Sequence, residues 1–87
     1  MPKPTAADIE ARVIHDVAKA ANLKPKNVHL DDVLADLGID HPGFVFIAGS
    51  LRAYIQHTSP NNSLRVDEVE KAGLTVAQLR DLVAAKV

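Results

Sequence analysis

Apolar residues recur along this chain at helical intervals, not at the alternation of strands. Ile9, Val13 and Val17, joined by Ile14, Ala18 and Ala21, form one stripe and predict a helix over residues 6–21. Thr5 and Asp8 stand before it at capping-box spacing, with Asp in place of the usual Glu. Asn22 suits a left-handed stop, and Pro25 opposes continuation. Residues 1–5, with Pro2 and Pro4, read as a flexible tail, and residues 6–87 as a single domain.

Residues 23–40 form a long connection in which Leu23, Val28, Leu30, Val33, Leu34 and Leu37 are expected to tuck against the helices. Asp31 or Asp32 suits a cap for one helical turn within it. Gly38 suits a backbone angle that other residues resist. A loop of this length in a small domain is often functional. Pro42 fits the first turn of a second helix, where its missing N–H has no partner to lose. That helix is expected over 42–57, capped by Asp40 or His41, with Val45, Ile47, Ala48, Leu51 and Ile55 as its core stripe. Gly43 and Gly49 each weaken it by about 1 kcal/mol relative to alanine. Thr58 to Ser63 is turn-rich, and Val66 to Lys71 reads as a short third helix ended near Gly73. Thr75 and Gln78 then make a capping box, with Leu74 placed to staple onto Leu79. Val76, Leu79, Leu82 and Val83 supply the stripe of the last helix. The fold class is all-α: four helices, a long loop between the first two, and a short third.

Composition narrows the picture. The 87 residues allow one domain. With only Phe44, Phe46 and Tyr54 as aromatics, aliphatic side chains and alanine must fill the core, which favours helices over a sheet. A formal net charge of −1 gives no general attraction to nucleic acid or to an anionic membrane. No apolar run approaches the roughly 20 residues that span a bilayer. The start, Met1-Pro2-Lys3-Pro4, is too polar for a secretory signal, so a cytoplasmic location is expected and Asn61-Asn62-Ser63 reads as a turn, not a glycosylation acceptor. There is no cysteine, hence no disulfide or thiolate chemistry.

The most informative stretch is Asp36-Leu37-Gly38-Ile39-Asp40, followed at once by His41-Pro42. It resembles the attachment segment of acyl carrier proteins, Asp-Leu-Gly-x-Asp-Ser-Leu, whose serine carries a phosphopantetheine arm. The resemblance runs from about Ile9 to Val83. It includes the apolar spacing from Ile39 to Ile55 and the segment Asp67 to Lys71 followed by Thr75-Val76. It implies an acyl-carrier-protein-like four-helix bundle. Two departures qualify the function it implies. His41 stands where the family has its serine. An imidazole would give a labile phosphoramidate where the hydroxyl gives a stable phosphodiester, so 4'-phosphopantetheine is expected to be absent. Ser50, mid-helix, and Ser59, past the helix end, are poor substitutes. The family's second helix is strongly acidic, whereas between His41 and His57 this chain has no Asp or Glu and Arg52 is its one fixed charge.

No cofactor, metal or catalytic residue is expected. His15, His29, His41 and His57 show no tight ligand spacing, and no serine sits in a Gly-x-Ser-x-Gly turn. A chemical role for His41 needs convergent partners, and the nearest in sequence are Asp36 and Asp40. Phe46 falls one position off the core face, as either an exposed anchor or a core residue. The expectation is a non-enzymatic, unloaded interaction or regulatory module that meets a protein partner by shape and apolar contact. Its surface is expected at His41, Gly43, Phe46, Arg52, Ala53 and Tyr54. The resemblance suggests a lipid or polyketide biosynthesis enzyme as that partner. The rival is a working acyl or aminoacyl carrier armed at an unexpected residue. The pattern leaves the oligomeric state open.

Overall fold

The computed structural model describes residues 3–87 and is all-helical, with no strand among them. Four α-helices follow in order: α1 (Ala6–Ala21), α2 (His41–Thr58), α3 (Val66–Val69) and α4 (Val76–Lys86). The long connection between α1 and α2 holds two short 3₁₀ turns, Pro25–Asn27 and Leu34–Leu37. Of the expected tail, Met1 and Pro2 lie outside the described residues. Thr5 is part of the helix start.

Local chemistry sets the helix ends. At α1, the Thr5 hydroxyl accepts from the Asp8 N–H at 3.1 Å while the Asp8 carboxylate accepts from the Thr5 N–H at 3.2 Å. Both are donors that the helix itself cannot satisfy. Asn22 ends α1 in the left-handed region, at φ 58°. Asp40, not His41, caps α2, its carboxylate accepting from Gly43 N–H at 2.9 Å. Gly38, at φ 77°, turns the chain into that cap.

The long loop is fixed mainly by α4. Two of its carbonyls, Leu30 and Asp32, accept from Ala77 and Val76 at 2.9 and 3.0 Å. The Leu34 N–H donates to the Leu74 carbonyl at 3.0 Å, beside an isolated antiparallel bridge between Val33 and Thr75. Thr75 supplies the Gln78 N–H with an acceptor at 3.1 Å. The first turn of α4 thus finds partners for its orphan N–H groups in its own cap and in the loop. Asp32 also closes a local turn, accepting from the His29 N–H at 2.8 Å.

One apolar cluster joins all four helices and the loop. Ile9, Val13 and Val17 of α1 meet Ile47, Leu51 and Ile55 of α2, Val69 of α3 and Val76, Leu79 and Val83 of α4, with Val28, Leu34 and Leu64 from the connections. Three expected members of this core, Val45, Leu23 and the half-buried Val33, are not in it. Val45 is exposed, and Phe44 takes the buried position in the α2 stripe. Phe44, Ile47, Ala48, Leu51 and Ile55 recur at three- and four-residue steps, and Val45 falls off that stripe. Leu23, expected to tuck inward, is also exposed. The third helix stops at Val69, short of Lys71, because Glu70 leaves helical geometry at ψ 67°.

Candidate functional site

Helix α2 lies between two neighbours, and its two flanks differ. On one flank it runs antiparallel to α1, as three contact levels show. Near one end the Lys19 ammonium lies 5.5 Å from the centre of the Phe46 ring. In the middle, the Ser50 hydroxyl donates to Asp16 at 2.9 Å. Farther on, the Arg12 guanidinium lies 5.1 Å from the centre of the Tyr54 ring. Residue numbers fall along α1 as they rise along α2.

Asp16 anchors this seam. It is only 2% exposed, the one buried charged residue in the described core. Its carboxylate accepts from Arg12 Nε at 3.1 Å as well as from Ser50 Oγ, and His15 Nδ1 approaches its other oxygen at 3.3 Å. Arg12 also donates through a terminal nitrogen to Ser50 Oγ at 2.9 Å. The three side chains close a ring of hydrogen bonds, which is what a buried carboxylate requires. Tyr54 closes the same flank half-buried. Its phenol is pushed above its ordinary pKa by burial and by the charge of Asp8, against the opposing pull of Arg12.

On the other flank α2 faces α3 and the segment before it. A cleft of about 340 Å³ opens there, lined by Val45, Gly49 and Arg52 of α2 and by Leu64, Arg65 and Val66 opposite. On the same flank His41, the first residue of α2, meets Glu70 just beyond α3, with Nδ1 to Oε1 at 2.6 Å. A carboxylate can only accept, so the imidazole N–H donates. The pair is exposed, and its partner is Glu70 from across the fold, not the adjacent Asp36 or Asp40.

The six residues singled out from the sequence therefore fall into separate places. Phe46, Ala53 and Tyr54 lie toward α1, with Ala53 and Tyr54 lining a shallow site together with Arg12 and His57. Arg52 lies on the α3 side, and His41 at the helix start. Gly43 sits where the helix start approaches α1. A Cβ there would stand 2.7 Å from the Ile39 side chain and 3.6 Å from the Ala20 carbonyl. Its small size is needed by the fold itself.

The Arg12–Asp16–Ser50 ring is absent from the sequence reading, although one signal was present. Asp16 falls in the apolar stripe of α1, and Ser50 lies between Ile47 and Leu51 in that of α2. A polar residue on an apolar stripe asks for a partner from another helix. Among the described residues no group of three or more His, Asp or Glu side chains is placed to hold a metal ion, and no helix is long and apolar enough to cross a membrane. Compared with protein-family models, with curated proteins and with solved structures, the chain finds no match.

Proposed function

We propose that the domain is a carrier-like helical module that acts by docking to a protein partner and bears no prosthetic arm. The observation that carries this reading is the state of the first residue of α2. At the position where the resembling family needs a free hydroxyl, an imidazole is tied to Glu70 across the bundle. The turn before it has Gly38 left-handed, Ile39 buried and Asp40 capping the helix, which supports the resemblance in sequence.

Other hydroxyls give the loaded-carrier alternative little support. Ser50 both donates to Asp16 and accepts from Arg12 in a half-buried seam, so its oxygen is already engaged. Ser59 lies past the far end of α2, about 27 Å along the axis from His41 at 1.5 Å per residue. An arm there would leave from the opposite pole of the bundle. The acid-free α2 further favours a partner unlike the basic docking sites that acidic carriers use. A link to lipid or polyketide synthesis rests on the sequence resemblance.

The test is incubation of the purified chain with coenzyme A and a promiscuous phosphopantetheinyl transferase, read by intact mass. The native chain is expected to gain nothing, and the double substitution His41→Ser, Pro42→Leu is expected to gain one arm. An arm on the native chain overturns the reading.

A further inference from the structure

We infer that the cleft between α2 and α3 is a docking site for an acidic peptide segment of a protein partner, one that inserts an aliphatic side chain between two arginines. The inference deepens the reading of the domain as an interaction module and rests on it.

Gly49 supplies the first argument. It lies in the interior of α2, where glycine weakens a helix relative to alanine. Its backbone angle is ordinary, and a Cβ built on it meets nothing within 4 Å. The fold therefore has no steric need for glycine at this position, in contrast to Gly43. What the missing side chain does is keep the floor of the cleft open. Val45, one turn before it, is 44% exposed, the most exposed of the large apolar residues. With half-buried Val66 opposite and buried Leu64 beneath, it makes an apolar wall that no other described segment covers.

The rim supplies the sign of the partner's charge. Arg52 and Arg65 flank the cleft, and none of the side chains lining it is acidic. Arg65 pairs with Asp67 at 3.1 Å, with both side chains well exposed, which leaves other N–H donors of its guanidinium facing solvent. Arg52 makes no ion pair among the described residues. It is also the only fixed charge of α2. Two guanidinium groups beside an apolar floor complement carboxylates placed next to an aliphatic side chain. The volume, about 340 Å³, lies near the lower bound for enclosed small-molecule sites and suits side chains presented on a peptide. A nucleic acid backbone would offer charge without the aliphatic side chain that the apolar wall fits.

The experiment is selection of a random-peptide phage library on the immobilised full chain, with Arg52→Glu and Gly49→Leu as counter-selection baits. Neither variant removes a hydrogen bond or ion pair among the described residues, and leucine is the better helix former at position 49. Circular dichroism of both variants checks that they remain folded. Enriched peptides are expected to combine Asp or Glu with Leu, Ile or Val. Synthetic copies are expected to shift the amide resonances of Val45, Gly49, Arg52 and Val66 and to bind less tightly as salt is raised. Arg52→Glu is expected to weaken them by about tenfold or more, and Gly49→Leu to a similar extent. Enrichment of basic or uncharged peptides overturns the inference. So do shifts confined to the α1 flank, or recovery on either variant equal to that on the native chain. Intact mass on the same preparation separates the two claims. Arm addition alongside selection of acidic peptides overturns only the unloaded reading, and failed selection on an unmodified chain overturns only the cleft.

Discussion

The two flanks of α2 obey different rules. Toward α1, three successive side chains have counterparts: Phe46 lies under Lys19, Ser50 bonds to Asp16, and Tyr54 lies under Arg12. Toward α3, Val45 is exposed, Gly49 faces open space and Arg52 has no charged partner among the described residues. Beyond the His41–Glu70 pair at its start, the helix thus carries a side matched within the chain and a stretch from Val45 to Arg52 left unmatched. The contrast separates what α2 does for the fold from what it offers to something outside it. Substitutions on the first flank should register in stability, and those on the second in binding.

The largest effect should come from Asp16→Ala. It leaves the Ser50 hydroxyl and the Arg12 guanidinium without their shared acceptor. Removing one member of a fully buried pair costs more, but the Arg12 side chain is 38% exposed and can re-solvate. The expected loss is about 2–3 kcal/mol in urea unfolding. Arg52→Ala, on the other flank, should stay within about 0.5 kcal/mol of the native chain. Equal losses would erase the distinction between the flanks.

The two glycines of α2 give the next effect, with opposite signs. Gly43→Ala drives a methyl to 2.7 Å from the buried, β-branched Ile39, whose side chain has little freedom to retreat. A loss of about 1–2 kcal/mol is expected. Gly49→Ala places its methyl in open space and removes the conformational cost of glycine, for a gain of about 0.5–1 kcal/mol. Thermal or urea midpoints decide both. A stabilised Gly43→Ala would mean that the Ile39 side chain can give way to the added methyl.

Sequence reading succeeded where the information is local. The ends of α1 were legible because Thr5, Asp8 and Asn22 act within one turn of the backbone they satisfy. The start of α4 was legible for the same reason, through Thr75 and Gln78. The phase of α2 was not. Phe44-Val45-Phe46-Ile47 is an unbroken apolar run, and periodicity cannot say which of its members turns inward. The choice fell to packing against α1. The ring at Asp16 joins residues 34 positions apart, and His41 meets Glu70 across 29, so neither has a local signature. The cleft is less legible still, because it exists only once α2 and α3 lie side by side. Among the residues proposed for a surface, Phe46, Tyr54 and Arg52 are all on α2. Sequence spacing alone did not assign them to opposite flanks.

The smallest effect concerns Tyr54 and appears only at alkaline pH. Half-burial against α1, with Asp8 nearby, holds its phenol protonated to higher pH than in the unfolded chain, where it titrates near the ordinary tyrosine value of about 10. Above that pH the unfolded state releases this proton first, so the folded state binds more protons. Stability must then fall as pH rises from about 10 toward the raised folded value. Tyr54→Phe keeps the ring beneath Arg12 but has no proton to lose. Its urea midpoint should therefore decline less steeply than that of the native chain above about pH 10, while the two differ little at neutral pH. Identical alkaline slopes would mean that the phenol is as free to ionise in the folded protein as in the unfolded chain. In that case the α1 flank would be more open to water at Tyr54 than its packing against Arg12 implies. The same titration on Arg52→Ala should leave the slope unchanged, since that side chain lies across the helix from the phenol.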